Sequence, residues 1–207
     1  MRNALIGLAF LAIAGAAPLA AAPATVPIPS GSYVIDPTHA SITWRVVHFG
    51  MSNYTARLTK FTATVDLDAA DVSKSNLKVS IDPMSVRTDF PYPEKTDFDA
   101  TIGGDPKFLD GKAHPEITFV STGIVVTGAK TANITGNLTL RGVTKPVTLA
   151  TVFNGSIPAH PMTKLPVFGI SAKGSFKRSD FGMDYGLQFV SDTVELIIEA
   201  EFTKAAQ

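Results

Sequence analysis

Ser41–Ile42–Thr43–Trp44–Arg45–Val46–Val47–His48 sets Ile42, Trp44, Val46 and His48 on one side of an extended chain. Ser41, Thr43, Arg45 and Val47 fall on the other. Successive side chains of a strand point to opposite faces, so this alternation marks a strand with one buried and one wet face. The same period returns along the chain. Phe61, Ala63, Val65 and Leu67 alternate with Thr62, Thr64 and Asp66, and Leu77, Val79 and Ile81 with Lys78 and Ser80. Ile117 and Phe119 flank Thr118, and Ile134, Gly136, Leu138 and Leu140 face away from Thr135, Asn137 and Thr139. A weaker run covers Val147, Leu149 and Thr151. Ile170, Ala172, Gly174 and Phe176 oppose Ser171, Lys173 and Ser175; Val194, Leu196, Ile198, Ala200 and Phe202 oppose Glu195, Glu199 and Glu201. Gly128, Gly142, Gly155 and Gly169 punctuate these runs as turn residues do. Many two-faced strands at short spacing predict an all-β protein, an antiparallel barrel or sandwich of about eight strands.

One segment breaks the pattern. Residues 83–115 carry Pro83, Pro91, Pro93, Pro106 and Pro115 around the stretch Thr96–Ile102. Thr96 is a candidate helix cap and Gly103–Gly104 a candidate stop, which predicts a short helical insertion. Such an excursion reads either as a lid over a site or as a helix that plugs one barrel end. A second Pro-rich loop spans 157–166.

The chain begins Met1–Arg2–Asn3, then runs apolar from Ala4 to Ala17 and continues with small residues. That is the layout of a secretory signal peptide, and the apolar run is shorter than the roughly 20 residues a membrane span needs. Cleavage near Ala24 leaves one domain over 25–207 and a periplasmic location. No cysteine is present. Disulfides therefore cannot staple the fold, there is no thiol for lipid attachment, and no stable membrane anchor is expected. Loss of Arg2 with the leader moves the formal charge from zero to −1. With no run of Lys and Arg, the chain lacks the electrostatic footprint of nucleic-acid binding.

Catalytic motifs are sparse. No Gly-x-Ser-x-Gly elbow occurs. Gly123–Thr131 fails as a phosphate loop, because Ala129 separates Gly128 from Lys130. None of His39, His48, His114 and His160 pairs at the spacing of a helical metal site. Neither metal nor cofactor is expected. His48 ends the apolar face of its strand. It reads as a partly buried histidine bonded locally, or as a contact for a ligand's polar head at a cavity mouth. Arg141, just before Gly142, reads as a solvated rim charge or as an anchor for an anionic head. Arg178 and Asp180 bracket Ser179 and read as a local pair. The aromatic residues on the β runs pack a core or line a cavity, since an eight-stranded barrel holds either side chains or one small ligand.

Tyr33–Val34–Ile35–Asp36–Pro37–Thr38–His39 and Val47–His48–Phe49–Gly50 resemble the YceI-like family of exported bacterial proteins. Pro115–Ser121, Gly136–Val147 and Lys177–Met183 are similar to its later motifs, in order, and Val194 onward to its closing strand. The resemblance covers essentially the whole mature chain. It implies a lipocalin-like antiparallel β-barrel holding a long apolar chain, typically a polyisoprenoid. The helical excursion departs from the family: where a His-Leu pair is usual, this chain has Thr101–Ile102 followed by the loosening pair Gly103–Gly104. The ligand head is therefore open.

The resulting expectation is a periplasmic protein that holds a long-chain isoprenoid-type lipid for carriage or storage. Ile42, Trp44, Val46, His48, Phe61, Phe119, Leu138, Leu140 and Phe176 line its cavity. His48, Arg141 and Asp99 are the candidate head-group contacts. An enzyme acting on such a lipid would need His48 with a carboxylate such as Asp99. A barrel acting through a protein partner is the third reading. Exposed barrel rims could pair as a homodimer, though nothing in the pattern specifies it.

Overall fold

The structure, a computed structural model, describes residues 24–206. The expected leader lies, apart from Ala24, outside the described residues. The strands are β1 Gly31–His48, β2 Ser52–Leu58, β3 Phe61–Leu67, β4 Asn76–Ile81, β5 Val86–Arg87, β6 Ile117–Gly128, β7 Thr131–Leu140, β8 Val143–Ile157, β9 Val167–Lys177 and β10 Thr193–Lys204. One α-helix, α1, covers Phe98–Gly104, and 3-10 turns cover Val72–Lys74, Pro83–Ser85 and Arg178–Phe181.

Eight walls close the barrel. β2 and β3 both pair with β1, at its two ends, and so form one bent wall. β4 and β5 pair with β3 and β2 in the same way. Counted thus, neighbours in the sheet are neighbours in the chain, and β10 returns to pair with β1. A meander closed on itself leaves little free edge to aggregate; here the two-residue β5 pairs on one side only. The weak run around Leu149 extends to fifteen residues as β8. Its Pro146 pairs with Asn137 of β7, but β9 joins β8 only from Leu149 onward. The missing N–H of Pro146 is therefore not called for.

The inward face is apolar and the outward face polar. On β10, Val194, Ala200 and Phe202 are buried while Glu195, Glu199 and Glu201 are exposed. Thr135 meets Thr148 at 2.9 Å and Thr139 meets Thr144 at 2.8 Å across the wet faces of β7 and β8. Such cross-strand pairs reinforce register. A lipid-facing barrel has its apolar band outside, so this polarity is inverted. Among the described residues no helix is long and apolar enough to cross a membrane.

Two glycine positions matter to the site. A Cβ on Gly136 would stand 2.4 Å from the Phe119 ring and 2.7 Å from the Val120 carbonyl. Phe119 thus lies across β7 only because Gly136 has no side chain. Gly136→Val is expected to cost about 2–3 kcal/mol through overpacking, read as a lower urea midpoint at constant slope. Gly142, at φ 73°, follows Arg141 at φ 54°. Together they make the tight turn that joins β7 to β8.

The insertion between β5 and β6 differs from expectation in its caps. Asp97, not Thr96, caps α1, its carboxylate accepting the Ala100 N–H at 2.9 Å. Gly103 and Gly104 do not stop the helix but form its buried last turn. They let it dock against Pro83 and Met84, where a Cβ on Gly103 would approach the Pro83 carbonyl to 3.1 Å. The pair that looked loosening is a close-packing device.

Candidate ligand-binding cavity

The barrel encloses a cavity of about 830 Å³, within the size range of small-molecule sites. Ile42, Trp44, Val46, His48, Phe61, Phe119, Leu138, Leu140 and Phe176 all line it, as do Leu149 and Ile198, which the sequence reading did not single out. Polar liners are few: Tyr54, Thr101, Asp105, Lys107, Thr151, Arg178 and Tyr185 join His48.

The mouth lies where three segments meet. The β1–β2 turn closes with the Met51 N–H donating to the His48 carbonyl at 2.9 Å. Its Phe49 donates its N–H to the Phe189 carbonyl at 2.6 Å, and the two rings stand 5.0 Å apart. The third segment follows α1: Lys107 sits over the Tyr185 ring at 5.1 Å, and Phe108 meets the same ring at 5.6 Å. Phe49, Tyr185 and Phe189 are exposed although they line the cavity. The apolar interior therefore reaches the surface at this end.

Two arginines hold the mouth together. Arg178 is buried, and its guanidinium donates to four backbone carbonyls. Nε bonds Ser191 at 2.9 Å, Nη1 bonds Met183 at 2.8 Å and Tyr185 at 2.7 Å, and Nη2 bonds Val190 at 2.9 Å. Burial pushes its pKa down, and the carboxylates of Asp192 and Asp184 oppose that shift. The expected pair of Arg178 with Asp180 is absent from this set. Asp192 instead accepts the Ser179 N–H at 2.9 Å and hydroxyl at 2.8 Å. Burial pushes the Asp192 pKa up, but these bonds outweigh it and hold the carboxyl below its usual range. Arg141 acts likewise on the other segment, its Nη1 donating to the carbonyls of Pro106 at 2.7 Å and Phe108 at 2.5 Å. It does not line the cavity. Its structural partners are backbone oxygens rather than open solvent.

Asp99 also lies outside the lining. Its Oδ1 accepts the Thr88 N–H at 2.8 Å and hydroxyl at 2.5 Å, and Arg87 reaches its other oxygen at 3.4 Å. Burial pushes the Asp99 pKa up, yet the Thr88 bonds and the Arg87 charge bring it below the ordinary value. This carboxylate pins α1 to the residues after β5. Among the described residues no hydrogen bond joins it to His48, which packs its ring against Phe49 at 4.6 Å.

Tyr54, on β2, is the site residue the sequence reading missed most plainly. It lines the cavity beside Trp44 at 6.3 Å and Phe98 at 6.4 Å. Its hydroxyl is buried and meets no partner with hydrogen-bond geometry among the described residues; burial pushes its pKa up, and the nearby Thr88 side chain opposes that shift. The Tyr54–Ala56–Leu58 alternation was the available signal, diluted by the small Ala56. A separate cluster, Asp36, His39 and Glu201, brings ligand atoms within 4.8 Å of one another. It sits where β1 bulges opposite β10 and is not part of the cavity lining.

A family model described as a YceI-like domain matches residues 33–202. The chain belongs to the YceI-like family. A "UPF0312 protein" of Azotobacter vinelandii (strain DJ) is 35% identical over 174 residues, covering 83% of this chain and 86% of that protein. A YCEI protein of Campylobacter jejuni superposes with a TM-score of 0.66 at 26% identity, covering 77% of this chain and 90% of that one. A polyisoprenoid binding domain from Saccharophagus degradans shares the fold, with a TM-score of 0.57 at 12% identity over 86% of this chain and all of its own. Within the YceI-like barrel, Leu140–Arg141–Gly142 and Lys177–Arg178–Ser179 each place an arginine on the carbonyls of a mouth segment.

Proposed function

We infer that this protein binds a long isoprenoid-type lipid inside its barrel, in the periplasm, and carries or stores it. The observation that carries this reading is the distribution of polarity: a large interior lined by Ile, Leu, Val and aromatic side chains, with its charged liners Lys107, Asp105 and Arg178 beside the mouth. The polyisoprenoid binding domain of like fold supports the choice of an isoprenoid. The leader-like N-terminus and the absence of cysteine support export without an anchor.

Burying each CH₂ contributes about 0.8 kcal/mol, so roughly ten to fifteen carbons give about 8–12 kcal/mol before ordering costs. That gross figure corresponds to micromolar to nanomolar binding, and the loss of chain freedom weakens it. The tail supplies affinity. Lys107, His48 and the Tyr54 hydroxyl supply contacts for a polar head. An acid–base enzyme is the weaker reading, because Asp99 spends its carboxylate on Thr88 and Arg87.

Trp44 is the chain's one tryptophan and lines the cavity, so its fluorescence reports occupancy directly. Titration with geranylgeraniol is expected to shift and saturate this emission at one equivalent. An emission indifferent to the alcohol, in folded protein, would overturn the reading. Tyr54→Phe separates structure from recognition. Removing an unpaired buried hydroxyl is expected to stabilise the empty protein by about 1 kcal/mol. The same change weakens binding of geranylgeraniol relative to the corresponding hydrocarbon. Equal loss for alcohol and hydrocarbon would show that the hydroxyl does not meet the head.

A further inference from the structure

The main cavity is not the whole interior. A second space of about 380 Å³ is lined by residues of the opposite barrel end, among them Leu67, Val126 and Phe153. Leu77, Ile134, Thr151 and Ile170 line both spaces, so the two meet across one layer of side chains. Thr151 spends its hydroxyl on the Leu149 carbonyl at 3.3 Å, which leaves the layer without a free donor.

The far end is stopped by chain, not by a strand. Thr25, Val26 and Pro27 line the second space. Val26 donates its N–H to the Ala69 carbonyl at 3.0 Å. Ile28 is buried, and the Pro29 carbonyl accepts the Tyr33 hydroxyl at 2.7 Å. Of the other polar liners, Ser75 is already bonded to the Asp68 N–H at 2.9 Å, and Thr25, Asn76, Lys130 and Thr131 are exposed at the rim. The space therefore suits hydrocarbon, and an apolar void without a ligand forfeits dispersion contacts on every wall.

We propose that this second space is a distal chamber for the tail of the isoprenoid chain, and that the layer at Ile134 sets the length of chain admitted. The proposal rests on the isoprenoid reading above and adds its length selectivity. A tail that outgrows the main cavity displaces the flexible aliphatic side chains of Leu77, Ile134 and Ile170 and continues into the distal chamber. The segment Thr25–Pro29 is the stopper, and the expected leader cleavage leaves it in place.

The test compares farnesol with solanesol, both delivered from cyclodextrin and read by Trp44 emission on the mature chain. Ile134→Phe narrows the layer and Ile134→Ala widens it. The ratio of solanesol to farnesol affinity is expected to fall at least about tenfold in Ile134→Phe and to rise in Ile134→Ala. Ile170→Phe repeats the narrowing from another strand should Ile134→Phe fail to fold. A ratio that stays constant across the folded variants overturns the chamber proposal while lipid binding stands. Failure of the wild-type protein to take up either alcohol overturns the isoprenoid reading itself.

Discussion

Arg178→Met is expected to cost about 3–5 kcal/mol of stability, less than four separate hydrogen-bond losses would sum to because the opened loop readmits water. The guanidinium serves the carbonyls of Met183, Tyr185, Val190 and Ser191 from one buried position. Methionine keeps the apolar stem but ends near the Nε position, so the loss combines the missing donors with the space the guanidinium filled. Lysine would not restore them, since a single ammonium cannot present a planar fork to four acceptors. Urea denaturation gives the cost. Hydrogen exchange over 183–191 shows where it falls: this loop should open first, with the β7 and β8 amides still protected. A change below about 1 kcal/mol would mean that the loop holds its shape through Phe181 and Met183 packing alone.

Leu138→Arg is expected to empty the barrel. Leu138 is buried on β7, lines the cavity and pairs with Phe119 across the sheet. An arginine there must either lie in the apolar space that a lipid would fill or drag water into it. Both outcomes remove the gain from burying the tail, so lipid affinity should fall at least about a hundredfold. An uncompensated charge in an apolar interior also costs several kcal/mol of folding energy. Circular dichroism is therefore measured on the same sample. A folded Leu138→Arg protein that keeps its lipid would place the ligand somewhere other than this cavity.

The barrel was legible because its evidence is local. Ile42, Trp44 and Val46 differ from Thr43 and Arg45 by one residue of spacing, and the pleat converts that spacing into inside and outside. Once the face is known, the chosen residues converge, because a closed meander brings every inward face to one axis. The mouth was less legible. Arg141 and Arg178 bond backbone carbonyls of residues 106–108 and 183–191, and a carbonyl acceptor leaves no trace in residue type. Asp99 looked available for His48 because its real partner, Thr88, has an ordinary hydroxyl and N–H. The Gly103–Gly104 pair misled for a related reason. Glycine ends helices in isolation, but here it permits contact with Pro83 and Met84, which only tertiary packing reveals.

The most direct measurement is lipid extraction and mass spectrometry of the protein, purified without detergent from the cells that make it. The account predicts a near-stoichiometric species with a long prenyl chain, lost from Leu138→Arg. Protein that arrives folded and empty under the same extraction, with a control lipoprotein retaining its lipid, would contradict it.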